Sequence, residues 1–308
     1  MQKFFKDKRL LKVGQLLVSA LLLWLVFKKM DIGLIFKQVL EVPVWYLVVS
    51  VLFWIGSSFI VAWRWAILIL DDHDLSDVWF IVKSTMIARF YSIFLPSSMG
   101  ADLIKWLPLI KKYPKLSKAG LAGSVVVDRI VGFTAFVIVA VLSVIVGKII
   151  GIQFPNFIFW MFLICMIAVI AFYVVVYWVD VDRLFSKIKI PTKVKRLFLV
   201  VLKADKKALK KGLWISLLAA PLWSLSGWLA LVAFKTGVPL LVTMIIMPVI
   251  NLVLILPISV AGFGPREGLF VYLLSAYAVS SESLLASSAF SGIISLVFAI
   301  LGGALTLF

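Results

Sequence analysis

The chain has 308 residues, 64% of them hydrophobic, and a formal net charge of +17 at pH 7. Its mean hydropathy of +1.15 excludes an ordinary soluble domain, and several apolar runs reach the ~20 residues that cross a bilayer core as a helix. One cysteine (Cys165) and one histidine (His73) exclude an internal disulfide framework and a histidine-rich metal site. We therefore expect an all-α polytopic membrane protein, forming a single integral membrane domain over residues 1–308 without a metal or cofactor.

The basic residues are concentrated beside apolar runs. Of the 31 lysines and arginines, 21 lie in residues 1–12, 105–118 and 180–211. This positive-inside pattern predicts a multi-pass protein of the cell (cytoplasmic) membrane, with these segments and the N-terminus in the cytoplasm. The same segments would attract anionic lipid headgroups, and we expect no nucleic-acid partner.

The first half of the chain contains two predicted transmembrane helices and one broken apolar segment. The helices cover residues 13–30 and 44–70, and the second carries tryptophans near both ends that we interpret as interfacial anchors, Trp65 among them. Residues 78–110 are apolar but break at Pro96 and Gly100, and both ends of this segment should be cytoplasmic. We therefore predict a re-entrant hairpin here.

The rest of the chain contains four further predicted helices and a second broken segment. The predicted transmembrane helices are 119–147, 154–179, 212–236 and 284–308. Within the basic cytoplasmic segment 180–211, residues 192–210 have one apolar side, which suggests a helix lying in the membrane interface. A second re-entrant hairpin is predicted over 239–279, with breaks at Pro257, Gly262 and Gly264.

The two broken segments share a motif, LPSS at residues 95–98 and LPIS at 256–259. With about six transmembrane helices, the two hairpins would enter the membrane from opposite sides, as in an inverted repeat. Helix-breaking sequence at membrane depth is tolerated only where the backbone is buried or lines a cavity. A matched pair of such segments often marks the substrate site of a transporter, so we expect a ligand site where the hairpin tips meet.

Ionisable residues inside the apolar segments are the candidate binding residues. A charge at the centre of a transmembrane helix costs roughly 2.5–3.5 kcal/mol even on a lenient scale, which favours a functional role. The substrate-binding candidates, including two polar residues of the second hairpin, are Arg64, Arg89, Asp102, Lys105, Asp128, Arg129, Asn251, Ser259, Arg266 and Glu267. The basic residues among them suit an anionic headgroup, because guanidinium binds phosphate through two parallel hydrogen bonds. The alternative is that these residues pair with one another and only lock helices together.

Four motifs resemble the transmembrane region of the lysylphosphatidylglycerol synthase/flippase family of bacterial and archaeal membrane proteins. They are RW at residues 64–65, FLP at 94–96 with GAD at 100–102, VDRIVG at 127–132, and LPIS at 256–259 with GFGPREG at 262–268. Their order and spacing are those of the family. The chain departs from the family in two respects. The family usually has a Pro-Gly pair and a double glycine before the aspartate, where Ser97, Ser98 and Ala101 intervene here, and Lys105 replaces a common arginine.

The resemblance implies a lipid translocase, and not an enzyme, that moves a phospholipid such as an aminoacylated phosphatidylglycerol between leaflets. Arg, Lys and carboxylate side chains at the hairpin tips would hold the headgroup. The soluble aminoacyl-transferase domain of bifunctional family members is not expected in this polypeptide, so a separate lipid-modifying enzyme is a candidate partner, and an oligomer is compatible with the glycines of the last helix. Two alternatives stay open: a membrane-embedded transferase acting on a polyprenyl-phosphate or phospholipid, and a helper subunit of a lipid-modifying enzyme.

Overall fold

The computed structural model describes residues 40–92, 101–102, 104–152, 154–180, 183, 199–254, 264–277 and 279–306. The regular helices within these ranges are α1 (Val44–Ile69), α2 (Leu75–Ser92), α3 (Leu107–Lys112), α4 (Lys118–Ile149), α5 (Asn156–Trp178), α6 (Lys206–Ala233), α7 (Leu240–Leu254), α8 (Pro265–Leu274) and α9 (Ser281–Ala304). Among the described helices, α1, α4, α5, α6 and α9 are long and apolar enough to cross a membrane. The prediction of a polytopic α-helical membrane protein is therefore confirmed. The predicted helix 13–30 lies outside the described residues, and the total of six spans stays a prediction.

Polar side chains cap the N-termini of α2, α4 and α9. Asp74 and Asp77 cap α2 reciprocally, since the Asp77 amide donates to Asp74 Oδ1 (2.8 Å) and the Asp74 amide donates to Asp77 Oδ2 (3.3 Å). Ser117 and Ser280 precede α4 and α9, and each hydroxyl accepts a hydrogen bond from the amide three residues later, at 2.9 and 3.3 Å. These caps satisfy amides that have no partner within the first helical turn.

Helix α6 begins earlier than predicted. It starts at Lys206, where the Asp205 carboxylate accepts a hydrogen bond from the Ala208 amide (2.9 Å) and so caps the helix. The lysines of its first two turns therefore belong to a long apolar helix. Such side chains can reach the membrane surface while their stems lie on apolar groups. The predicted boundary between an interfacial helix 192–210 and a transmembrane helix 212–236 is wrong, because hydropathy alone does not reveal a cap.

Both broken segments are interrupted helices. The first forms α2 and the short α3 on either side of its break, and the second forms α7 and α8, which contact each other. The predicted break residues that lie outside the described residues are Pro96, Gly100, Pro257 and Gly262. The re-entrant path and the opposite orientation of the two hairpins therefore stay predictions.

The described helices divide into two compact units. The first unit takes in the described residues of Met1–Ile55, Thr85–Ile104 and Trp223–Phe308. The second unit takes in the described residues of Gly56–Ser84 and Lys105–Leu222. The candidate binding residues are divided between these two units.

In the second unit, α4 contributes to two apolar clusters. Its first turns pack with Trp65 of α1 and Leu109 of α3, whereas later residues, from Val127, pack with Leu209 of α6 and with α5. Half of the most apolar stretch of α4 is buried (50%), compared with 17% for α5, whose exposed apolar side is suited to lipid. Asp128 therefore lies on α4 where the two clusters adjoin.

In the first unit, close contacts join distant parts of the chain. A Cβ added at Gly302 of α9 would overlap the backbone carbonyl of Met86 in α2, so only glycine allows this approach. Ser50 of α1 and Ser226 of α6 each donate a hydroxyl hydrogen bond to the other's backbone carbonyl, both at 2.8 Å. Reciprocal serine bonds of this kind hold helices together without exposing polar groups to lipid.

Candidate functional site

The second unit contains a buried cluster of three charged side chains from three separate segments. Arg64 lies on α1, Asp128 on α4, and Lys105 lies two residues before the start of α3. Arg64 Nε donates to Asp128 Oδ1 at 2.7 Å, and Lys105 Nζ donates to Oδ2 at 3.0 Å. The three side chains are between 3% and 7% exposed. In this Asp128 cluster, each carboxylate oxygen therefore accepts from a different cation.

Arg64 connects the cluster to a third helix. Its Nη1 donates to Ser216 Oγ on α6 at 3.1 Å, and the Ser216 hydroxyl donates in turn to the Gly212 carbonyl at 2.7 Å. The guanidinium is thus held at Nε by α4 and at Nη1 by α6. Because guanidinium is planar and both of these bonds have defined directions, its orientation is tightly restricted.

Lys105 is held by both its side chain and its backbone. Its ammonium lies 4.5 Å from the centroid of the Trp65 ring, in a cation–π contact. Trp65 is fixed in turn by its Nε1, which donates to Ser124 Oγ at 3.0 Å, and the Ser84 hydroxyl donates to the Lys105 carbonyl. The interpretation of Trp65 as an interfacial anchor is wrong: it is only 1% exposed and lies beneath Lys105.

Each buried charge of the Asp128 cluster is stabilised by the opposite charge that it contacts. A buried ion is unfavourable by several kcal/mol unless it is paired and hydrogen-bonded, and removing one partner of a buried pair typically costs about 3–5 kcal/mol. One carboxylate and two cations give the three side chains a formal net charge of +1. An anion that reaches this cluster would therefore meet two hydrogen-bond donors of the type that phosphate prefers.

The first unit contains a second charged cluster at the N-terminus of α8. Glu267 Oε1 accepts from Arg266 Nε (3.0 Å) and Nη2 (2.7 Å) and contacts Ser288 Oγ of α9 at 3.5 Å. Glu267 Oε2 accepts from the Gly264 amide at 2.7 Å. Gly264 has φ +91°, which disfavours any residue with a Cβ. In this Glu267 cluster the carboxylate both caps the helix and neutralises the arginine.

Arg129, a predicted binding residue that follows Asp128 in sequence, has an exposed side chain, whereas Asp128 is buried. Successive residues of a helix with 3.6 residues per turn point about 100° apart, so neighbours in sequence leave α4 in different directions. The buried cations that contact Asp128 are Arg64 and Lys105.

Three other predicted binding residues lie in the first unit. Arg89 is half-buried on α2, with its guanidinium carbon 4.9 Å from the centroid of the Trp54 ring. Asp102 is buried, Asn251 is half-buried on α7, and Ser259 lies outside the described residues. Sequence reasoning did not single out the serines that complete the two clusters, because isolated serines in apolar helices carry no distinctive pattern.

A polar cluster outside the membrane-spanning helices joins the start of α2 to the end of α3. Asp77 Oδ1 accepts from Tyr113 Oη at 2.5 Å and from Lys112 Nζ at 2.9 Å. The hydrogen bonds from Tyr113 and Lys112 hold the pKa of Asp77 below its ordinary value. Burial, together with the bond to Asp77, raises the pKa of Tyr113. In the part of the chain that the structure describes, no group of three His, Cys, Asp or Glu side chains could hold a metal ion.

Long apolar helices with buried ion pairs define a multi-pass, α-helical membrane protein. The family model described as the lysylphosphatidylglycerol synthase TM region matches residues 12–303. The chain therefore belongs to this family, and the resemblance inferred from its motifs is confirmed. Comparisons with curated proteins and with solved structures find no significant match.

Proposed function

We propose that this protein is a lipid translocase of the cell (cytoplasmic) membrane, with its N-terminus in the cytoplasm, that moves an anionic or aminoacylated phospholipid between leaflets. The observation that carries the proposal is the Asp128 cluster, in which two buried cations share one carboxylate inside a protein of a lipid-related membrane family. The protein would act without changing the lipid covalently, and therefore not as an enzyme.

In the proposed binding step, a lipid phosphodiester takes the place of the Asp128 carboxylate as the anion that Arg64 binds. Asp128 neutralises much of the charge of Arg64 and Lys105, so the cations are not buried without a counter-charge. A phosphodiester carries one negative charge and can accept two parallel hydrogen bonds from guanidinium. Added to a cluster of formal charge +1, it gives a neutral assembly, whereas a headgroup without phosphate gives no such compensation.

The Glu267 cluster is the second proposed headgroup contact. Arg266 is 12% exposed and its carboxylate partner is 3% exposed, so the arginine is the more accessible of the two. Arg266 would contact a phosphate, and the carboxylate would contact the ammonium of a zwitterionic or lysyl headgroup. This pairing of opposite charges would favour headgroups that carry both signs.

The test is leaflet exchange of labelled phosphatidylglycerol, phosphatidylcholine and lysylphosphatidylglycerol in vesicles containing the purified protein. We expect Arg64→Gln to slow exchange at least about tenfold, a loss of ~1.4 kcal/mol of stabilisation. Lys148→Gln is the matched control, because Lys148 lies on α4 like Asp128 but is exposed near the C-terminal end of the helix.

Mass spectrometry of the recovered lipids separates translocation from the alternative of a transferase. A translocase returns every lipid unchanged, whereas a transferase produces lipid of altered headgroup mass when a soluble donor is supplied. Exchange no faster than in protein-free vesicles, with wild-type protein shown to be folded and inserted, would refute the proposed function.

A further inference from the structure

The terminal nitrogens of the Arg64 guanidinium lie against a glycine of the neighbouring helix. A Cβ added at Gly132 of α4 would lie 2.7 Å from Nη1, 3.1 Å from Nη2 and 3.2 Å from Cζ of Arg64. Contacts below about 3.4 Å are tighter than ordinary van der Waals packing. Gly132 follows Asp128 by four residues, so the glycine and the carboxylate lie on the same face of α4.

The first unit repeats this arrangement with different residues. A Cβ added at Gly292 of α9 would collide with Arg266 Nη2 and lie 3.0 Å from its Cζ. Gly292 follows Ser288 by four residues, and Ser288 contacts the Glu267 carboxylate that holds Arg266. In both units, a polar residue on a helix contacts the charged cluster and a glycine one turn later faces the arginine.

A flexible side chain could normally move away from a new methyl group, but these two arginines are restrained. Arg64 is held at Nε by Asp128 and at Nη1 by Ser216, and Arg266 is held at Nε and Nη2 by Glu267. Either guanidinium can move only by lengthening or breaking one of these bonds. Glycine in a helix interior is itself unfavourable relative to alanine, because glycine loses more backbone freedom on folding.

We propose that Gly132 and Gly292 are positioning residues, which set the place and orientation of the Arg64 and Arg266 guanidinium groups. This inference rests on the proposed function for its consequence in transport, since headgroup phosphate would be bound by those groups. Displacing a binding group by a fraction of an ångström weakens bidentate recognition without removing any charge. Neither glycine need touch the lipid.

The test is a double-mutant cycle that combines Gly132→Ala with Arg64→Lys. Lysine lacks the planar guanidinium, so the added methyl group has little to displace. We expect Gly132→Ala to lower the thermal unfolding midpoint and to slow lipid exchange about 10- to 100-fold in the wild-type background. In the Arg64→Lys background we expect no further fall in the midpoint and less than about a twofold change in exchange.

An alanine variant at another glycine is the matched control. Gly56→Ala, also in a long helix, adds a Cβ with no atom within 4 Å. It should not alter exchange. If Gly132→Ala does not fold, Gly292→Ala with Arg266→Lys makes the same comparison in the first unit.

The two readouts distinguish failure of this inference from failure of the proposed function. An equal loss of stability in both backgrounds, or no loss in either, overturns the positioning role whatever the transport result. A stability cycle that behaves as expected in a protein that exchanges no lipid supports the positioning role and refutes the translocase.

Discussion

Replacing Asp128 by asparagine removes the negative charge that Arg64 and Lys105 share. At an effective dielectric constant of about 20, two unit charges ~4 Å apart interact by about 4 kcal/mol, and Asp128 makes two such contacts. The remaining amide oxygen and local relaxation recover part of this energy. We therefore expect the free energy of unfolding to fall by about 3–5 kcal/mol, as when one partner of a buried pair is removed.

The assay is unfolding by SDS titration of the detergent-solubilised protein, followed by circular dichroism. Glu41→Gln is the control, because it also removes one carboxylate but from an exposed position. Adding Arg64→Met to Asp128→Asn should restore part of the lost stability, since it removes one of the two uncompensated cations. A variant within about 0.5 kcal/mol of wild type, the range of most surface substitutions, would refute the conclusion that Asp128 stabilises buried charge.

Three further predictions concern other parts of the molecule. Glu267→Gln should lower the free energy of unfolding by about 1–3 kcal/mol, less than Asp128→Asn, because the glutamine can still cap α8 but no longer neutralises its arginine neighbour; equal losses would contradict this. Gly302→Ala should destabilise by about 1–3 kcal/mol through overlap with a backbone carbonyl, while Gly56→Ala should not, both measured in the same titration. Asp77 has a lowered pKa, so its stabilisation is present above its unfolded pKa and disappears as the pH falls through its folded pKa. Thermal unfolding should therefore show Asp77→Asn less stable than wild type at pH 7 and the two converging below pH ~4, whereas a pH-independent difference would assign the effect to packing.

The amino-acid sequence by itself determined the class of protein and most of its helices. Runs of about 20 apolar residues form helices in a membrane, because a helix satisfies every backbone hydrogen bond internally. The predicted helices 44–70 and 119–147 accordingly differ from the observed Val44–Ile69 and Lys118–Ile149 by at most two residues at either end. Family membership also followed from sequence, since motifs such as VDRIVG at 127–132 are properties of short segments.

The partners of Asp128 were decided by tertiary structure alone. Sequence identified Asp128 as an unusual residue for a membrane helix but did not indicate which of the candidate cations it contacts, and its observed partners are 64 and 23 residues away in the chain. The contact of Gly132 with Arg64 was equally hidden, because a glycine in a helix has many explanations. Helix propensity and hydropathy act within a few residues, but which side chains meet depends on how helices from distant parts of the chain pack together.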